Sequence, residues 1–345
     1  MKAGIYLGKE SIEVRELPLP EVGENDVLIR NIYSSICGTD VAVFMHGPGT
    51  GHKVTVGGEF GHETVSRVVA VGKNVTDFKV GERVYPYPLY AKDDTSRTGT
   101  LGAFSEHILA PNARRNRSLY TVDERISDRL ASLIEPFTVG CRAARRGMIP
   151  AGEGHYVAGQ NAVVFGCGTI GIAAAVALRH FGMSKVMLCD HSEFRLGLAR
   201  ELGFEVCNTA SEDFMERSCA YFGTAPSLDG PTANIDCWLD AAGATGILED
   251  FQRLAKIESR FVSVAVNNEP RSIDLLRMTY AQLSVIGSGG YMPEDVADVQ
   301  KIMASGRWDL ERIITHEFAL DDLERAIRTA ADVDHAGNVV IRMEQ

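Results

Sequence analysis

Cys37, His62, Glu63 and Glu135 supply one sulfur donor, one imidazole and two carboxylates. All four lie upstream of a glycine turn, Gly166-Cys167-Gly168-Thr169-Ile170-Gly171. A soft thiolate with imidazole and carboxylate suits zinc, and a nicotinamide cofactor beside zinc suits alcohol oxidation. Taken singly these residues say little: a lone cysteine is usually a small buried hydrophobe, and a His-Glu pair arises by chance on surfaces. Their frame adds weight. Gly38 follows Cys37 and Gly61 precedes His62, freeing the backbone, while Pro136 fixes the chain just after Glu135.

The glycine turn has a mechanical reading. Gly166 allows a tight turn, Gly168 lets the backbone approach a pyrophosphate, and Gly171 lets helix and strand pack closely, with Thr169 and Ile170 opening the helix. The helix N-terminus then offers free N–H groups and the positive end of its dipole to phosphate. The pattern alone is weak, but here it follows a strand, opens a helix, and precedes Asp190 at the end of the next strand, where an acid meets a ribose 2′-hydroxyl. A carboxylate there repels a 2′-phosphate, so Asp190 favours NAD over NADP. Arg195 and His191 lie close in sequence and offer opposing positive charge.

Those residues need elements to hold them. From Lys2 to about Tyr120 the chain reads as short β-rich runs such as Val27 to Tyr33, Val65 to Val71 and Arg83 to Tyr85, which predicts a strand-rich barrel or sandwich. Helical spacing appears from Ser127 to Gly147, and Pro150 to Gly154 reads as a linker, predicting a boundary near 150. Beyond it strands and helices alternate. Ala162 to Phe165, Lys185 to Cys189, Ile235 to Leu239, Arg260 to Val266 and Leu283 to Ile286 read as strands; Ile170 to Phe181 and Glu193 to Leu202 read as helices. That alternation predicts a parallel, doubly wound sheet of Rossmann type. Phe222 to Ala233, rich in Gly and Pro, reads as a surface loop. After Gly289 come helical stretches at Asp295 to Ser305 and Asp321 to Ala331, then a strand at Val339 to Ile341. The predicted domains are 1–150, 151–289 and a C-terminal segment 290–345.

Composition narrows the partners. A 345-residue chain, 45% apolar, exceeds one ordinary core and fits two domains. A net charge of −11 argues against nucleic acid, because neutralising phosphates needs a basic surface. The seven scattered cysteines do not form a secreted disulfide pattern, so a reduced cytoplasmic compartment is expected. The N-terminus shows no apolar leader, and the apolar run Ala162 to Leu178 contains the glycine turn, so no membrane segment is expected.

Across essentially its whole length the chain resembles the zinc-dependent medium-chain dehydrogenase/reductase superfamily, near the sorbitol (polyol) and 2,3-butanediol dehydrogenases. The resemblance rests on Cys37-Gly38-Thr39-Asp40, Gly61-His62-Glu63, Glu135-Pro136, Val80-Gly81-Glu82-Arg83-Val84 and Gly102-Ala103-Phe104-Ser105-Glu106. It implies a GroES-like catalytic domain with an inserted NAD-binding Rossmann domain, the C-terminal segment returning to the first. It also implies that Cys37, His62, Glu63 and Glu135 serve one catalytic zinc, each acid contacting it directly or through water. Assembly as a homodimer or homotetramer is implied as well. Two departures stand out. Relatives often carry a structural zinc on four cysteines, but Arg83 to Glu106 contains none, so one zinc per chain is expected. Ala42 stands where relatives often place the histidine that ends a proton relay; His46 is near enough to be considered in its place, but a lone histidine beside Gly47-Pro48 is more often a loop residue.

The mechanism this implies has zinc acting as a Lewis acid on the alcohol oxygen and hydride passing to the nicotinamide, while Thr39 receives the hydroxyl proton and passes it on through the cofactor ribose. Asp40 is expected to be structural, bonded to a ligand histidine. Phe44, Phe60, Phe104 and Phe137 either wall a small pocket or are ordinary core. Tyr291 follows Gly290, where similar polyol dehydrogenases tend to carry an arginine, which tilts the substrate toward a small secondary alcohol or vicinal diol and its ketone. The alternatives are an L-threonine-type amino alcohol, a sugar phosphate or cyclitol, and a non-catalytic dinucleotide-binding scaffold.

Overall fold

The computed structural model describes residues 1–50, 53–92, 101–152, 155–267 and 269–343. The chain forms two compact units, Met1–Pro136 with Met303–Gln345, and Phe137–Ile302.

The first unit is built on strands. Its main sheet runs in the order Ile314–Ala319, Asn338–Arg342, Val27–Ser35, Glu63–Val71, Arg83–Pro86 and Leu119–Thr121, with His107–Ala110 also paired to Val27–Ser35. A smaller sheet joins Ser11–Glu16, Lys2–Gly8 and Gly58–Glu59. Alternation along Val27–Ser35 and Glu63–Val71 sends Val27, Ile29 and Val68 into a core with Val84, Ile108 and Leu119. The C-terminal segment belongs here because its last strand pairs with Val27–Ser35, Val340 opposite Ser35, and because Arg129 donates to the Ile314 carbonyl at 2.9 Å.

The second unit carries a six-stranded parallel sheet in the order Glu205–Asn208, Lys185–Asp190, Asn161–Phe165, Cys237–Asp240, Arg260–Ser263 and Ser284–Gly287. The chain winds outward from Asn161–Phe165 in one direction, then returns to start again at Cys237–Asp240, so the carboxyl ends of these two strands mark the topological switch point. All five residues of Asn161–Phe165 are buried, as a strand covered on both faces requires. On one face Trp238 packs with Phe165, Phe251 and Phe261.

The compact units divide at Pro136/Phe137 and Ile302/Met303, beside the expected domain boundaries near 150 and 289. Helix Ile134–Gly147 carries the first crossing, because its later turns pack on the Rossmann elements, Gly140 against Ala173 and Gly147 against Cys237. The expected loop at Phe222 to Ala233 contains a hairpin, Thr224–Ser227 paired with Gly230–Ala233, in which Pro226 faces Pro231. A two-stranded ribbon tolerates such prolines because their missing donors can face outward. Of the expected linker, Pro150–Gly152 pairs with His155–Tyr156, while 153–154 lie outside the described residues. Among the described residues no helix is long and apolar enough to cross a membrane, and all seven cysteines are free thiols.

Candidate functional site

Strand Val27–Ser35 ends two residues before Cys37, and helix Gly38–His46 begins immediately after it. Strand Glu63–Val71 runs antiparallel beside the first, with Glu63 opposite Ser35, so His62 and Glu63 arrive at the same end of the sheet as Cys37. Gly61 is required at the approach: its φ is +84°, and a Cβ there would sit 2.6 Å from the Phe104 ring.

One ligand atom from each of Cys37, His62 and Glu63 lies within 4.8 Å of the others. Asp40 holds the group from behind. Its Oδ2 accepts from the Cys37 N–H at 3.0 Å, and its Oδ1 lies 3.3 Å from His62 Nδ1. Asp40 thus braces the Cys37 backbone and lies against the candidate ligand histidine, the position expected of a structural acid. This leaves His62 Nε2 on the side of Glu63, whose Oε1 is 4.0 Å away. The Thr39 hydroxyl donates to Cys37 Sγ at 3.1 Å.

The electrostatics describe a cluster built for a cation. Burial pushes the Glu63 carboxyl up to about 8, with Glu135 adding to the shift while His62 opposes it. Burial and the nearby Glu63 raise the Cys37 thiol to about 11. Burial disfavours charge on His62, but Asp40 and Cys37 overcome it and raise its affinity for a proton. Glu63 Oε2 is buried and makes no hydrogen bond. A buried acceptor without a donor costs free energy, and a divalent ion among sulfur, nitrogen and oxygen donors removes that cost. The residues therefore fit zinc. Glu135, in the first turn of its helix and 8% exposed, is near enough to act on Glu63 but is not one of the mutually close trio.

All four candidate pocket aromatics are buried in the core. Phe44, Phe60 and Phe104 are fully buried in one cluster with Tyr6, Leu323 and Ile341, Phe60 lying 5.8 Å from Phe104. Phe137 is also buried, at 1% exposure. His46 ends helix Gly38–His46 with its side chain exposed. Of the cysteine-free stretch Arg83 to Glu106, residues 93–100 lie outside the described residues.

In the second unit, Gly166-Cys167-Gly168 joins strand Asn161–Phe165 to helix Thr169–His180, with Gly168 as the N-cap and Thr169 and Ile170 in the first turn. A Cβ on Gly171 would lie 1.8 Å from the Gly166 carbonyl oxygen, so a side chain there is excluded. A Cβ on Gly168 would meet nothing closer than the Arg195 guanidinium at 3.8 Å, leaving the turn open to a ligand. Asp190 is tied to this turn: Oδ2 accepts from Cys167 N–H at 2.7 Å, and Oδ1 from the N–H groups of His191 and Ser192 at 2.7 and 2.9 Å. The anchoring of Cys167 by Asp190 was not foreseen in the sequence, though the Asp at the strand end is its signal.

Known proteins share this organisation. The family model for the alcohol dehydrogenase GroES-like domain matches residues 23–117, and that for zinc-binding dehydrogenase matches 169–305. An L-threonine 3-dehydrogenase of Klebsiella pneumoniae is 28% identical, the match covering 97% of each chain. Among solved structures, 2R,3R-butanediol dehydrogenase from Bacillus subtilis superposes with TM-score 0.84 at 22% identity over 99% of each chain. A zinc-binding dehydrogenase from Sinorhizobium meliloti bound to NADP superposes with TM-score 0.80 at 22% identity, covering 99% of this chain and 98% of that one.

Proposed function

The chain belongs to the zinc-type medium-chain dehydrogenases of the alcohol dehydrogenase superfamily, and from that premise we propose that it uses one zinc ion and NAD to interconvert a small secondary alcohol, vicinal diol or polyol with its ketone. The observation that carries this reading is the convergence of Cys37, His62 and Glu63 on one point, with a buried carboxylate oxygen lacking any donor. A non-catalytic scaffold has no need of that convergence.

Cys37, His62 and Glu63 would hold the zinc, with Glu135 contacting it directly or through water. Bound there, zinc supplies Lewis-acid polarisation of the substrate oxygen, and NAD supplies the acceptor for the hydride. Asp40 fixes the orientation of His62 by engaging Nδ1, which keeps Nε2 available as a ligand atom. Thr39, within hydrogen-bond reach of Cys37, takes the hydroxyl proton, because an alcohol side chain accepts and donates at once. Freshly purified protein is expected to contain about one zinc per chain, the number one such ligand set can hold. Elemental analysis after dialysis checks this, and two retained ions would defeat it.

On the nucleotide side, a carboxylate offers about four lone-pair directions, and Asp190 uses three on backbone N–H groups, which leaves one for a ribose 2′-hydroxyl. Asp190→Asn removes the charge that repels a 2′-phosphate, and should raise the NADP-to-NAD ratio of kcat/KM about tenfold, the scale of one lost charged contact. Overall efficiency should fall too, because the anchor on Cys167 weakens. A wild-type preference for NADP would overturn this assignment.

A second reading follows from the L-threonine 3-dehydrogenase relatives. Threonine is itself a secondary alcohol, so the same proton and hydride chemistry applies to an amino alcohol. Initial rates with NAD on vicinal diols, polyols, hydroxyketones, sugar phosphates and L-threonine separate the two.

A further inference from the structure

Behind Glu63 lies a buried polar chain that the mechanism above does not use. Ser35, the last residue of strand Val27–Ser35, is fully buried and faces Glu63 across the antiparallel ladder. On its other side the final strand Asn338–Arg342 pairs through Val340. Asn338, 3% exposed and 303 residues away in sequence, donates from Nδ2 to Ser35 Oγ at 2.9 Å. Directly opposed on the ladder and both buried, Ser35 and Glu63 present their side chains side by side on one face of the sheet.

The direction of this chain is set by chemistry. An ionised carboxylate only accepts, an amide NH₂ only donates, and a hydroxyl has a single proton. Asn338 donates to the Ser35 oxygen, which leaves the hydroxyl proton to donate toward the carboxylate across the ladder. We propose that Ser35 and Asn338 are positioning residues for the metal centre: together they turn the Glu63 carboxylate so that one oxygen is tethered to the sheet and the other faces the cation. The inference rests on the reading of Glu63 as a zinc ligand. It gives the returning C-terminal strand a role in metal binding that a purely structural strand would not have, since its first residue sets the hydroxyl that sets the ligand. Partners of metal ligands act by orienting them, and their loss typically lowers metal affinity by about 10- to 100-fold.

The test measures zinc affinity by chelator competition, and the visible ligand-field spectrum of the cobalt(II)-substituted protein, for wild type, Ser35→Ala, Ser35→Thr, Asn338→Ala and the Ser35→Ala/Asn338→Ala double variant. Ser35→Ala is expected to weaken zinc binding by about 10- to 100-fold and to change the cobalt spectrum. Ser35→Thr, which keeps the hydroxyl, should stay close to wild type, and Asn338→Ala should shift both readouts in the same direction by less. The double variant should be no weaker than Ser35→Ala, because Asn338 acts through the hydroxyl already removed. Should Ser35→Ala fail to fold, Asn338→Ala against Ser35→Thr carries the comparison. Wild-type affinity and spectrum in folded Ser35→Ala or, if it does not fold, in Asn338→Ala, overturn the proposal while leaving Glu63 a ligand. A wild-type chain that takes up no zinc overturns the ligand reading itself, and this inference with it.

Discussion

Cys37→Ala is expected to strip the purified protein of zinc and to lower kcat/KM by about three orders of magnitude or more, the scale of losing the Lewis acid that stabilises charge on the reacting oxygen. The fold should survive. The bond that locks helix Gly38–His46 to the preceding strand runs from the backbone N–H of residue 37 to Asp40, so it does not need the thiol. The side chain does not belong to the apolar cluster of Phe44, Phe60 and Phe104, so truncation leaves that core intact. Elemental analysis, NADH production from the best substrate of the panel, and the thermal midpoint of chelator-treated wild type beside the variant make the measurement. A variant that keeps about one zinc and near-normal turnover would show that the trio is not the metal centre.

The same variant probes the electrostatics. Glu63 and Cys37 hold protons more tightly than free side chains do, chiefly because burial penalises their charged forms. A metal ion must displace those protons, so acidification favours release of zinc and higher pH favours uptake. Without the thiolate, one negative donor is gone and the remaining imidazole and carboxylate face the ion with less compensation, which is why removing one ligand costs far more than one contact.

What could be read from the residues alone was the chemistry carried by short local spacings. Cys37, His62-Glu63 and the turn Gly166 to Gly171 each act within a few residues, so type and order suffice to single them out as candidates. The central parallel strands were legible for a related reason: Asn161–Phe165 is buried on both faces and must be a nearly unbroken apolar run. Helix Gly38–His46 was not, because Gly38, Thr39, Val41 and Val43 are poor helix formers; burial of Val43 and Phe44 and the Asp40 contact stabilise it, and those are tertiary facts. Nor does composition decide whether Phe44, Phe60 and Phe104 line a pocket or fill a core, since an aromatic serves either. The Asn338–Ser35 contact spans 303 residues and depends on which strand lies beside Val27–Ser35, so only the topology reveals it.

Thr39→Val should keep zinc and cofactor binding yet lower kcat by about two orders of magnitude or more, the usual scale for losing a positioned proton-transfer group. Thr39 is only partly buried, and its hydroxyl bonds to Cys37 Sγ, a group held independently by the backbone contact to Asp40. Valine matches its shape and removes the one atom that can accept a proton from substrate. The loss should therefore fall on kcat, with little change in metal content or in the dissociation constant for NADH. His46→Ala is the control for the outer part of the path. His46 sits exposed at the end of the helix whose first turn carries Thr39, with Ala42 between them offering no hydroxyl or imidazole. A small effect from His46→Ala means solvent collects the proton without it; a large effect that small amine buffers partly restore places His46 in the relay. Near-normal turnover by Thr39→Val with zinc still bound would mean that the proton leaves by another route, through Glu135 or water, and that the Thr39 hydroxyl serves only to orient the Cys37 sulfur.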